Sequence, residues 1–177
     1  MQFDDMKAFR QLCGRPERIC WAVAQHQEQR SICPLGWKMW TSAQPPMMAI
    51  SVAPQRFTHD LIARSGEFVL AWPGEELAEA TLAVGTRSGR SMDKFAECGL
   101  TALPAEQVSA PLIGECLANL ECKVAGKMTT GDHTIFVGQI VAVHVNHPDG
   151  RQLCSIGDGE GYKFLLEKGG YRFGVVK

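Results

Sequence analysis

The stretch Ile50–Phe68, ISVAPQRFTHDLIARSGEF, decides the fold. Its first residues close an apolar run, MMAISVA, that reads as a buried strand. Pro54 ends that strand, and FTHDLIARSG reads as a helix that begins at once. Thr58 fits the N-cap, Phe57 and Ile62 fall where a hydrophobic staple puts them, and Gly66 fits the helix end. A helix that starts where a strand stops gathers unpaired N–H groups and a partial positive charge at one corner. Such a corner binds phosphate readily. Ser51 and Thr58 add hydroxyls and Arg56 a planar cation, so the spacing S-x-x-x-x-R-x-T suits a phosphate monoester. A plainer role fits the same residues: Thr58 only caps, Arg56 is solvated, and Asp60 sets a negative charge in the same turn.

Upstream, KAFRQLC reads as a short helix and RICWAVAQ as a first strand. HQEQR turns the chain into SICPLGWKMWTS, and QPP breaks it again before MMAISVA. Strand, turn, strand, turn, strand favours antiparallel neighbours. Downstream, EFVLAWP is a strand closed by Pro73, and EELAEATLAV is helical, with Leu77, Ala80, Leu82 and Val84 on its apolar side. GTRSGRS is a loop; Ser91 then caps the short helix MDKFAEC, which Gly99 ends. In NLECKVAGKM, Leu120, Cys122 and Val124 alternate with Glu121 and Lys123, the period-two sign of a strand with one wet face. TTGDH turns into TIFVGQIVAVHV, which is apolar on both faces, so both faces should be covered, one of them in a dimer. Gly138 in its middle suggests a bulge or a barrel corner. The tail mixes a short apolar patch with glycine turns. Many short strands and few helices predict a mainly β fold: a small closed barrel with peripheral helices, one domain over residues 1–177.

A chain of 177 residues buries roughly 70% of its unfolded surface. With 18 basic and 19 acidic residues the net charge is −1, which argues against bulk nucleic-acid binding. No apolar run approaches the ~20 residues of a membrane span, and MQFDDMKAFR does not resemble a signal peptide. The seven cysteines include no C-x-x-C pair and find no histidine to complete a zinc site. The expectation is a cytoplasmic protein with free thiols, no metal and no disulfide.

PPMMAISVAPQRFTHDLIARSGEFVLAWP resembles the flavin reductase-like, FMN-binding split-barrel family, which includes flavoredoxin. The resemblance continues through CPLGWKMWTSAQPP, GTRSGRSMDKF, APLIGECLANLECKV and GDHTIFVGQIVAVHV, in the same order. It implies a six-stranded Greek-key antiparallel β-barrel, a homodimer, and FMN near the subunit interface. Carried over, Ser51, Arg56 and Thr58 hold the FMN phosphate, beside Val52 and Phe57. The segment Trp37, Lys38, Met39, Trp40, Thr41 and Ser42 lines the flavin ring. Ser88, Gly89 and Lys94 approach the cofactor, His133 reaches it from its own or the partner chain, and Phe164 covers one ring face. The chain departs from the family at Ser31, where relatives often carry asparagine, and in its longer tail.

Plainer readings stand beside these. Lys94 and Arg90 can be solvated, His133 can close its turn, and Trp37, Trp40 and Phe164 can be core. No G-x-G-x-x-G follows a strand, so a nicotinamide cofactor has no dinucleotide domain of its own. The resemblance implies an NAD(P)H-dependent flavin reductase-like oxidoreductase, with hydride passing from NADH or NADPH to flavin N5. Electrons then leave for an unidentified acceptor, among them a partner oxygenase or redox protein. Lys94 and Lys38 are candidates for tuning the flavin. The alternatives are an FMN-binding electron carrier that does not oxidise NAD(P)H, and a barrel without flavin.

Overall fold

The computed structural model describes residues 3–157 and 162–176. Seven strands form one antiparallel sheet: β1 (Cys20–His26), β2 (Gln29–Leu35), β3 (Lys38–Ala43), β4 (Pro46–Val52), β5 (Glu67–Trp72), β6 (Ala118–Thr130) and β7 (His133–Val145). Their hydrogen-bonded order is β2-β1-β5-β6-β7-β4-β3. The edge strands β2 and β3 are thus joined only by Gly36 and Trp37. In a flat sheet those edges would lie about 29 Å apart. Three Cα–Cα steps span at most about 11 Å. The sheet must therefore roll until its edges meet, and the Ser51 N–H donates to the Trp37 carbonyl near that seam (3.0 Å). The fold is the expected mainly β split barrel. SICPLGWKMWTS, read as one strand, is two, so the wall has seven strands rather than six.

Alternation sorts the strand residues into two cores. Cys20, Ala22 and Ala24 of β1 face the barrel interior with Ile50, Phe68 and Phe136. Trp21 and Val23 face outward, into a second core with Val69, Val84, Phe95 and Phe173. Helix α1 (Phe3–Cys13) precedes the barrel, and α2 (Phe57–Ser65) puts Phe57, Leu61 and Ile62 into its interior. The second core is supplied by α3 (Ala78–Thr86), α4 (Lys94–Glu97) and the C-terminal hairpin of β8 (Tyr162–Lys168) and β9 (Tyr171–Val176).

Three local expectations are corrected. The N-cap of α2 is Arg56, with no side-chain cap bond, because a turn from the Arg56 N–H to the Ala53 carbonyl (3.0 Å) starts the helix early. Thr58 therefore lies inside the first turn, buried, and Phe57 and Ile62 are barrel core rather than a staple. Helix α4 is capped by Asp93, whose carboxylate accepts from the Phe95 N–H (3.0 Å), while the Ser91 hydroxyl folds back onto the Ser88 carbonyl (3.1 Å). Glu121 is fully buried rather than on a wet face.

Strand β7 covers one face as expected, with Phe136 and Ile140 inside the barrel. Beyond a second register shift, between Ile140 and Ala142, Val143 and Val145 stand 60% and 62% exposed in the single subunit. Gly138 does sit at a register shift, between Val137 and Gly138. A Cβ built there would lie 2.5 Å from Phe68 Cζ and 2.9 Å from Cys122 Cβ. Gly138→Ala should therefore destabilise the fold by about 1–3 kcal/mol, read as a lower urea midpoint, because two packed core groups would have to move.

Candidate functional site

Two cavities meet where β2, β4 and the start of α2 converge. The larger, about 510 Å³, is walled by Cys33, Gly36 and Trp37 on one side and by Ser51 and Val52 on the other, with Asp132 and His133 at its rim. The smaller, about 180 Å³, lies between β2, the first turn of α2 and the 87–94 loop, and is lined by Ser31, Thr58, Ser88, Gly89 and Lys94. Cys33, Gln55 and Arg56 line both, so the two form one groove with Arg56 at its neck.

The strand period explains why these residues meet. Ile32 of β2 packs into the outer core, so its neighbours Ser31 and Cys33 turn to the groove. The expected phosphate trio is split: Ser51 lines the larger cavity, Thr58 the smaller, and Arg56 both. Phe57 walls the smaller cavity. Lys94 is buried, and its ammonium donates to the carbonyls of Ile32 (2.6 Å) and Val84. Burial pushes the Lys94 pKa down. With two of three donors used, one N–H is left for a ligand. Ser31 Oγ is buried in the same cavity without a hydrogen-bond partner among the described residues. A Cβ at Gly89 would lie 2.3 Å from that Oγ and 2.9 Å from Ser31 Cβ, so the loop can approach β2 this closely only through glycine.

At the other end Trp37, 48% exposed, packs on His133 with ring centroids 4.8 Å apart, in the same chain. His133 Nδ1 lies 2.6 Å from Asp132, and that hydrogen bond holds the Asp132 carboxyl below its usual range. The Lys38 ammonium is taken by the Arg18 carbonyl. Met39 lies on an apolar recess that adjoins the groove at Trp37 and Ser51. Trp40, Thr41 and Ser42 run on along the edge strand and, like Phe164, are not among the described residues that wall the groove. Phe164 sits on β8 opposite Gly174, 53% exposed. Sequence reasoning missed Cys33 and Gln55. The signal for Cys33 was its parity with Ser31; Gln55 lies in an irregular turn and left none. All seven cysteines are free, and burial pushes the thiols of Cys20 and Cys122 up to about 12.

The chain belongs to the flavin reductase-like domain family, whose model matches residues 14–166. An uncharacterised protein of Archaeoglobus fulgidus is 37% identical over 142 residues, 78% of this chain and 76% of that one. The flavoredoxin of Methanosarcina acetivorans superposes with a TM-score of 0.73 at 25% identity, over 92% of this chain and 86% of that one. An NADH:FAD oxidoreductase of Streptomyces globisporus reaches a TM-score of 0.76 over 87% and 90% of the two chains, at 20% identity, and shares the fold. No helix among the described residues is long and apolar enough to cross a membrane.

Proposed function

We propose that the chain is an FMN-binding oxidoreductase that oxidises NADH or NADPH and passes the electrons to an acceptor. The observation that carries this reading is one groove with a cationic end and an aromatic end, and an orphaned buried hydroxyl at the cationic one. A buried hydroxyl without a partner costs roughly 1–3 kcal/mol, which a bound anion would recover. The donor set fits a phosphate monoester: the Arg56 guanidinium, the spare Lys94 N–H, Ser31 Oγ, and the hydroxyls of Thr58 and Ser88.

When bound, FMN supplies the redox chemistry, taking a hydride and releasing electrons. The protein binds and orients. Arg56 and the smaller cavity hold the phosphate, with Ser51 along the path between the two ends. Trp37, His133 and the backbone around Gly36 bound the ring end. Lys94, tied to two carbonyls, acts first as a fixed cation at the phosphate end, not as a mobile proton donor. The exposed apolar side chains of Met39, Trp40, Met128, Val143 and Val145 pair two subunits, with Thr41 and Ser42 on the same edge strand as Trp40. The free cysteines support a cytoplasmic location.

Anaerobic mixing of the FMN-loaded protein with NADH, and separately with NADPH, tests the reading. The yellow absorbance should bleach within a turnover with at least one of them. A second reading, an electron carrier, is favoured by the likeness to flavoredoxin at 25% identity; persistent colour with both nucleotides would select it. A colourless preparation that ignores added FMN would sink both.

A further inference from the structure

Among the described residues, one thiol lines the groove assigned to FMN, and flavin binding gives it no role: that of Cys33. Cys33 lies on β2, half-buried, and borders both cavities at the neck. Its thiol donates only weakly, to the Pro34 carbonyl at 3.8 Å. The other cysteines differ. Cys20, Cys116, Cys122 and Cys154 are buried. Cys13 is exposed and Cys98 half-buried, and neither lines the groove.

The surroundings of Cys33 are cationic. Arg56 stands with it at the neck, and the Lys94 ammonium is held by the carbonyl of Ile32, the residue before it on β2 (2.6 Å). Burial pushes the Cys33 thiol up, and Arg56 and then Lys94 pull it part of the way back. Thiolate, the attacking form, is therefore scarce, and exchange by free collision with a disulfide is slow. A disulfide that carries carboxylates escapes that limit. Its carboxylate can dock on Arg56 and Lys94 and take the hydrogen bond of the Ser31 hydroxyl. That residue is 1% exposed, and its Oγ faces the smaller cavity without a partner among the described residues. Docking holds the S–S bond beside Cys33 and makes the exchange effectively intramolecular.

We propose that Cys33 is a thiolation site for anionic disulfides, and that its mixed disulfide closes the groove to flavin. The Cys33 thiolate attacks one sulfur of the reagent, the reagent's S–S bond breaks, and a new S–S bond forms at Cys33. The other half leaves as a thiolate and takes up the proton that Cys33 released, so no outside oxidant or reductant is needed. The added half then fills the neck, where the phosphate would sit. Flavin and adduct exclude one another: a loaded groove shields Cys33, and an empty one exposes it to an oxidised thiol pool. The proposal rests on the flavin reading above and adds regulation to the same site.

Oxidised glutathione, whose halves each carry a net negative charge, tests it on the flavin-free full chain. Peptide mass spectrometry should find the adduct at Cys33, FMN binding followed by calorimetry should be lost, and dithiothreitol should restore it. FMN at about ten times its dissociation constant should slow the Cys33 adduct about tenfold, since only the empty groove reacts. Cystamine exchanges in the same way but carries ammonium groups. With exposed Cys13 as internal reference, the rate ratio of Cys33 to Cys13 should fall about tenfold from glutathione disulfide to cystamine. In Cys33→Ser the treatment should leave the variant's own FMN affinity where it was. The proposal is overturned by a Cys33 that stays unmodified, by an adduct that leaves FMN binding intact, by an equal rate ratio with both reagents, or by lost binding in treated Cys33→Ser. Each of these leaves FMN binding by the untreated chain standing. An untreated chain that binds no flavin overturns the flavin reading itself and this proposal with it.

Discussion

Glu121→Ala should cost the fold about 3 kcal/mol or more, a fall in melting temperature of roughly 10 °C. The carboxylate is fully buried on β6. Its oxygens accept from the N–H groups of Glu106 (2.9 Å), Gln107 (2.6 Å) and Val108 (3.1 Å), and lie 2.7 Å from His144 Nε2. One carboxylate thus satisfies three backbone donors of a loop that supplies Ala105, Val108 and Ala110 to the outer core. Glu67 assists by taking the Ser109 N–H and hydroxyl. Alanine would leave those partly buried donors without their acceptor, and the cost of unmade bonds exceeds the modest gain of made ones. Glu121→Gln should lose less, since it keeps one acceptor oxygen but places an amide against N–H donors.

The same cluster sets an acid limit. Burial alone would push the Glu121 pKa up; the N–H groups of Glu106 and Gln107, and then His144, outweigh it and hold the carboxyl below the usual range. A depressed carboxyl stabilises the fold above its unfolded pKa, about 4.3, and that contribution is lost as pH falls through the lower folded value. Urea midpoints of the parent should therefore drop steeply below about pH 4, and those of Glu121→Ala more gently. Equal acid slopes in the two proteins would remove Glu121 from this role.

Glu121 also marks where the sequence misleads. In NLECKVAGKM the period of two was legible and correct, but polar identity was equated with a wet face. The loop from Pro104 to Ala110, whose Glu106 lies 15 residues before Glu121, supplies the cover, and a two-residue period carries no trace of it. The strand interiors were readable because both faces of β1 are apolar, and so was the β-bulge at Gly138. The two wrong caps share a cause: Thr58 and Ser91 were chosen as side chains that can cap, whereas turns beginning at Ala53 and Ser88 fix where the backbone enters each helix. Ser51 and Thr58, borne on regular elements, were singled out by spacing and line the groove, whereas Gln55 in the turn lines it and was not singled out. Phe164 was carried over in the tail, where the resemblance is weakest, and it stands away from the groove walls.

Arg56→Ala should weaken FMN binding about thirtyfold, or about 2 kcal/mol, and leave riboflavin binding unchanged. The argument rests on position. Arg56 is exposed, caps α2 through its backbone only, and lines both cavities of the groove. Its side chain contributes little to the fold, so truncation reads out ligand contact with small structural cost. Riboflavin lacks the phosphate that the guanidinium would grip, and serves as the internal control. Because the neck is open to solvent, added salt should weaken FMN binding to the parent and flatten in the mutant. Arg56→Lys should recover part of the loss, since an ammonium keeps the charge but not the two-pronged contact. Unchanged FMN affinity in Arg56→Ala would show the phosphate to lie elsewhere. A parallel loss of riboflavin would instead make Arg56 a support of the groove wall, leaving the Lys94 end without its principal cation.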